Sequence, residues 1–402
     1  MSRVSWSVSP SPAHKERGPG GEGPKGRVQW RLNGAFFLVF AGGGAFQQFI
    51  GPYLLTTYHL GIDASSAALA TVYLVAFVCL TVTTYSLAAL GEYLALVLGT
   101  VAYGLFGLVA LLTGNVAALI GAAAVWGWGA SVLWTAGAAM TLDAAGSGRY
   151  GRASGLLYSF VFVGQALGVF LLGTLVRLAS PRIMVICVVG VTGLGTLMAL
   201  SLPRQRFRAQ ARARPRLLNP LAVLATPTTR LAALILLLSS SGFGLLLGVF
   251  GTIVGTTYGV AAVGPITACF YVARIPAGSG GGRLIDRLGR RPVLGAAFLA
   301  SATALLLAVF VHHPVVFSLC AAMLGVQAAV VPVGLTSWVG DRAAAEDRPS
   351  TYAAIQLWSN VGTGLAILGG SRLLSVLGGW QGSFTFFAAI YLVCMVIASQ
   401  LG

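Results

Sequence analysis

The chain has 402 residues, 57% of them hydrophobic and 8% charged, with a mean hydropathy of +0.86. A soluble domain carries about 25% charge, so these values exclude a water-soluble globular protein and leave a polytopic membrane protein. The formal net charge of +16 would point to nucleic acid in a soluble chain. Here the basic residues fall mostly between apolar runs, where they set topology and meet anionic lipid, so no nucleic acid partner is expected.

In chain order, residues 1–30 combine scattered charge with Pro10, Pro12, Pro19 and Pro24, and carry no apolar core of a signal peptide. They read as a disordered, basic cytoplasmic tail. Six apolar runs follow, at residues 32–58, 65–87, 93–113, 116–142, 154–178 and 183–202. The first contains Gly42-Gly43-Gly44 and Gln47-Gln48. Residues 88–92 form a short turn, and 143–153 a polar loop with Arg149 and Arg152.

Residues 203–230 hold Arg204, Arg206, Arg208, Arg212, Arg214 and Arg216. This stretch reads as a linker lying on the anionic inner leaflet. Six more apolar runs span residues 231–258, 261–279, 293–311, 315–339, 351–377 and 384–401. The expected fold is an all-α polytopic membrane protein of twelve transmembrane helices in two six-helix bundles, 31–202 and 231–402.

Placing the tail, the linker and the alternate loops on one side collects 21 of the 25 Arg and Lys residues there. The positive-inside rule puts that side, and both termini, in the cytoplasm of a cell bounded by a plasma or inner membrane. The scarcity of Lys beside abundant Arg, Ala and Gly suggests a GC-rich bacterial genome. A weak internal repeat agrees with two halves: a shift of 198 superposes Gly44 on Gly242, Gly61 on Gly259, Gly91 on Gly289 and Asp143 on Asp341. A shift of 200 superposes Gly51 on Gly251 and Tyr58 on Tyr258.

The densest charge in the second half is Gly282-Arg283-Leu284-Ile285-Asp286-Arg287-Leu288-Gly289-Arg290-Arg291, read as a basic hairpin loop between the eighth and ninth spans. The string resembles, at every fixed position, the loop signature of the major facilitator superfamily. The resemblance implies two parallel halves that rock about a central site. Gly282, Asp286, Arg287, Gly289, Arg290 and Arg291 are then gating residues, docking near the ends of neighbouring spans, where Asp143, Arg152 and Asp341 lie. Such a latch would favour the outward-open state. The first-half counterpart, residues 86–92, lacks the Asp and the arginines. The run from Gly127 to Gly137 is similar to a fourth-span motif of the branch that holds the "uncoordinated" channel regulators, except at Ala136, where that branch has Gln.

None of the nine acidic residues lies mid-span, and neither does a histidine. This argues against a simple proton relay. The exception in the apolar interior is Arg274, nine residues before Arg283, or about 13 Å along a helix. A bare guanidinium there costs at least about 2.5–3.5 kcal/mol, so its partner is either protein oxygens or a substrate anion. An Arg on the eighth span is also similar to the arrangement in the monocarboxylate and oxalate branches. The spans that the family resemblance places around the cavity supply Gln47, Gln48, Tyr53, Trp128, Trp134, Ser239, Ser240, Ser241 and Gln327. Gln165 and Asn360 are added from the fifth and eleventh. For each the alternative is an interhelical bond or packing.

Five cysteines show no metal spacing, and no phosphate-binding Gly-Lys-Ser/Thr loop or nucleophile–base set is visible. The expected protein is not an enzyme, needs no metal or cofactor, and works as a monomer. It moves a small organic solute, anionic if Arg274 contacts it. Efflux of lipophilic compounds and a non-transporting scaffold or channel regulator are the alternatives.

Overall fold

A computed structural model describes residues 24–145, 150–204, 217–225, 227–342 and 348–401. In hydrocarbon every backbone N–H and C=O needs an internal partner, which leaves helices for apolar runs of this length. Fifteen α-helices result among the described residues: α1 (Pro24–Val39), α2 (Ile50–Tyr58), α3 (Ile62–Thr81), α4 (Thr83–Leu112), α5 (Val116–Ala145), α6 (Tyr150–Leu178), α7 (Pro181–Leu200), α8 (Pro227–Ser239), α9 (Ser241–Leu245), α10 (Gly251–Tyr258), α11 (Val260–Leu288), α12 (Arg290–Phe310), α13 (Pro314–Arg342), α14 (Arg348–Val376) and α15 (Trp380–Ser399). They compose twelve membrane spans in two six-helix bundles, and ten segments are long and apolar enough to be recognised as spans by composition alone. The other two are the first span, which is broken, and α14, which carries Gln356, Ser359, Asn360 and Arg372.

Two features differ from the expectation. The basic hairpin is helical: α11 continues through Gly281 and Gly282 to Leu288, and the turn shrinks to Gly289. Gly289 adopts φ 83°, ψ 162°, a conformation closed to most side chains. In the first half Gly91 adopts φ 74°, ψ 157° and divides α4 into the end of the second span and the third. These two glycines are 198 residues apart, so the repeat is visible in backbone geometry. The second difference lies at the tail, where α1 begins at Pro24. The last residues of the stretch expected to be unstructured are therefore helical.

The first span runs through α1, a π-helix at Phe40–Gly44, a turn at residues 47–49 and α2. The wide π turn leaves the Gly43 N–H free to donate to Thr192 Oγ1 of α7 at 2.8 Å. The seventh span has its own π-helix, Leu246–Phe250, between α9 and α10. Such insertions interrupt the regular ladder and commonly sit at functional sites.

The turns at Gly91 and Gly289, together with the segment after α7, define one end of the molecule, here the basic end. At the opposite end the halves touch backbone to backbone. A Cβ at Gly51 of α2 would lie 2.8 Å from Thr252 Oγ1 of α10, and one at Gly251 would lie 2.9 Å from the Gln48 carbonyl oxygen. Gly173 of α6 and Gly264 of α11 abut likewise, a Cβ on the first falling 2.7 Å from the Cα of the second. On the other edge α3 meets α14, where a Cβ at Gly364 would lie 2.9 Å from Leu74 Cδ2. At the basic end residues 217–224 cross beneath that edge. The Leu218 N–H donates to the Thr81 carbonyl at 3.1 Å, and Trp358 Nε1–H donates to the Pro220 carbonyl at 3.1 Å.

Candidate functional site

Arg274 is the middle residue of α11, with fourteen residues of that 29-residue helix on each side. The apolar part of α11 is Val260–Gly278, and about 21 Å of helix separates Arg274 from its outer end, which leaves it within the apolar layer, in the half nearer the basic end, as the spacing to Arg283 implied. Its Cζ lies 4.3 Å from the Phe162 ring centroid and 5.3 Å from that of Phe270. The phenols of Tyr271, Tyr158 and Tyr73 stand close enough to feel its charge. Nε is buried and has no hydrogen-bond partner, and among the described residues no carboxylate pairs with the guanidinium. Two aromatic faces partly repay desolvation of the cation, but its N–H donors are left over.

The break in the first span sets the polar floor of this region. Leaving the helical path at residues 47–49 turns two adjacent amides toward different spans. Tyr73 of α3 donates its hydroxyl to Gln47 Oε1 at 2.6 Å, and Gln48 Nε2 donates to the Tyr271 hydroxyl of α11 at 2.8 Å. Tyr73 and Tyr271 are 198 residues apart, so the Gln pair joins equivalent tyrosines of the two halves. Gln48 is buried and its Oε1 has no partner. Each amide thus spends one of its two polar atoms on a tyrosine, and Arg274 adds the charged donors.

Rings continue outward from Arg274 in both directions. Phe162 contacts Tyr158 at 6.0 Å, and Tyr158 stacks on Trp134 at 5.5 Å. Phe270 stacks on Phe243 at 5.5 Å, and Phe243 meets Tyr73 edge-on at 6.1 Å. Tyr158 is 48% exposed although it lies near Arg274.

Of the residues singled out in the sequence, Arg274, Gln47, Gln48 and Trp134 come together here. Tyr53 does not. It is buried in the first half, where its hydroxyl donates to the Ala110 carbonyl at 3.2 Å. Gln327 is buried in the second half and donates to the Ser239 carbonyl at 3.3 Å, joining α13 to α8. Gln165 is buried on α6, and Asn360 is half-buried on α14.

At the basic end Asp286 and Arg287 are exposed, Gly282 is half-buried, and Asp286 has no ion-pair partner among the described residues. Arg290 lies in the first turn of α12 beside Arg291, whose Nε donates to the Leu401 carbonyl at 3.2 Å. Asp143 lies close enough to Glu92 for their charges to interact, and Glu92 Oε2 is buried without a partner. The side chains of Arg152 and Asp341 lie outside the described residues. Sequence reasoning missed Tyr73, Tyr158, Phe162, Phe243, Phe270 and Tyr271. The 198-residue spacing of Tyr73 and Tyr271 was the available signal.

Comparison with known proteins follows this geometry. Residues 32–260 and 231–400 match the family model described as Major Facilitator Superfamily. No curated relative matches by sequence. Among solved structures, a point mutant of the nucleoside transporter NupG is 13% identical, with a TM-score of 0.79 over 93% of this chain and 99% of that one. The human organic anion transporter MFSD10 (TETRAN) is 15% identical, with a TM-score of 0.67 over 94% and 100%. A bacterial homolog of the human lysosomal transporter Spinster, in an inward-facing and occupied conformation, is 14% identical, with a TM-score of 0.72 over 95% and 97%.

Proposed function

Because the chain belongs to the major facilitator superfamily, we propose that it is a secondary active transporter for a small organic anion, working by alternating access, with Arg274 holding the negative charge. One observation carries the reading: a guanidinium in the middle of α11, with a buried Nε–H for which the described residues offer no acceptor. Intramembrane charges are expensive and mark substrate paths. A carboxylate or phosphate entering from water would complete the hydrogen bonds that Arg274 lacks. The organic anion carried by MFSD10, a protein of the same fold, is compatible with this reading.

The basic end is assigned to the cytoplasm by the positive-inside rule, with both termini on that side of the plasma membrane. The protein acts as a monomer. The contacts of Gly51 with Thr252 and of Gly173 with Gly264 then close the outer side, and the carrier faces inward. Exposed Asp286 fits this state: its latch belongs to the outward-open one and is disengaged here. Asp286→Asn should therefore shift the balance toward the inward-facing form and slow uptake; unchanged uptake removes the latch.

The aromatic surround of Arg274 favours a second reading, efflux of lipophilic compounds. A thermal-shift screen of the purified protein against organic anions, amphiphilic drugs and sugars separates the two. Anions should stabilise the protein and lose their effect on Arg274→Ala. Stabilisation by neutral amphiphiles that survives this substitution would overturn the anion reading.

A further inference from the structure

We infer that the site takes a planar aromatic monocarboxylate, with its carboxylate on Arg274 and its ring among the aromatic side chains that flank that residue. The inference rests on the anion reading above and narrows it. Three observations meet at one place.

The first is the charge count. Arg274 supplies one positive charge, and the charged neighbourhood described around it consists of phenols, with no second cation and no acid among the described residues. A monoanion is balanced there. A dianion would carry an unpaired charge into a region that solvates it poorly.

The second is the way the cation is held. Phe162 lies 4.3 Å from Cζ and Phe270 5.3 Å, so the cation is held against rings, while its buried Nε has no hydrogen-bond partner among the described residues. Carboxylates pair with the N–H edge of a guanidinium, in its plane. In an arylcarboxylate the ring is coplanar with the carboxylate. Pairing therefore projects the ring away from Arg274 in the plane of the guanidinium, toward the aromatic side chains around it.

The third is what surrounds that projection. Trp134, Tyr158 and Phe162 form one run of ring contacts, and Phe270, Phe243 and Tyr73 another, each reaching Arg274 at one end. The runs come from α5 and α6 of the first half, and from α11, α9 and the first-half α3. A cargo ring between them touches both halves and offers faces and edges to rings. Tyr158, the most open of these residues at 48% exposure, is the surface a cargo ring meets on entry.

The test is calorimetric titration of the purified full chain with benzoate, cyclohexanecarboxylate, benzamide and phthalate. Benzoate should bind about 5-fold tighter than cyclohexanecarboxylate, which has the same charge but no π face. It should bind about 10-fold or more tighter than benzamide, which keeps the ring and loses the charge. Phthalate should bind no tighter than benzoate. Tyr158→Leu and, separately, Phe162→Leu should bring benzoate and cyclohexanecarboxylate to within about 2-fold of each other. Arg274→Lys retains charge without the planar edge and should lessen the same preference.

Equal affinity for the two acids, with benzamide rejected, overturns the aromatic inference and leaves the anion reading standing. Equal affinity for benzoate and benzamide overturns the anion reading itself. Failure of all four to bind overturns the inference, and non-aromatic anions in the wider screen then decide the anion reading separately.

Discussion

Replacing Gly264 with Ala should pry open the end of the molecule opposite the basic turns. A Cβ there would stand 2.8 Å from the Val169 carbonyl oxygen and 2.9 Å from the Gly173 Cα, both backbone atoms of α6 that no rotamer change can move. Overpacking of this kind costs about 1–3 kcal/mol. The cost falls only on the state in which α6 and α11 touch, because separating the halves removes the clash. The ratio of closed to open should therefore drop about 5- to 150-fold. The assay is the distance between spin labels at Leu178 and Thr257, both exposed at that end on opposite halves, in a variant lacking the five cysteines. The Gly264→Ala chain should gain a longer-distance population, and Gly264→Leu more of it. Gly190→Ala, whose Cβ would meet nothing within 4 Å, should leave the distribution unchanged. An unaltered distribution in both Gly264 variants would refute the claim that this contact is the closed gate.

Two further outcomes test the backbone. Gly91→Ala and Gly289→Ala force a side chain to φ 74°, ψ 157° and φ 83°, ψ 162°, a region essentially reserved for glycine, and should each lower stability by about 1–3 kcal/mol. Gly61→Ala, at φ −63° with open space around it, should change the thermal midpoint little. Thr192→Val keeps the shape but removes the acceptor for the Gly43 N–H in the π turn, a loss of about 1–3 kcal/mol. Thr196→Val, whose hydroxyl only donates back to the Thr192 carbonyl, should be near neutral by the same melting measurement.

The twelve spans were legible because hydrocarbon imposes length and polarity together. Most of the runs read from the sequence end within a few residues of the helices; the first begins eight residues after the start of α1, and the eighth ends nine before the end of α11. Where the reading failed, charge was taken for loop. Arg283, Asp286 and Arg287 project from the end of α11 as exposed helical residues, since a helix can extend past the apolar layer into water. The break at residues 47–49 holds no proline or glycine itself, but Pro52 lies four residues beyond Gln48 and cannot donate to its carbonyl, a signal that the sequence reading did not use. Arg274 and the Gln pair stood out because polar groups are costly at depth. The rings around them did not, because Phe and Tyr in an apolar run look the same whether they pack a core or face a solute. Tyr53 and Gln327 show the converse: polar atoms at depth that serve the bundle, each donating to a carbonyl inside its own half.

The segment at residues 217–224 is fastened on one side to Thr81 and on the other to Trp358. It straps the α3–α14 edge together, while on the α6–α11 edge Gly173 abuts Gly264 and Arg274 lies over the Phe162 ring, with no such strap among the described residues. On the proposed alternating-access reading the swing is lopsided, wider along α6 and α11 than along the strapped edge, so that a solute would meet the side carrying Arg274 first.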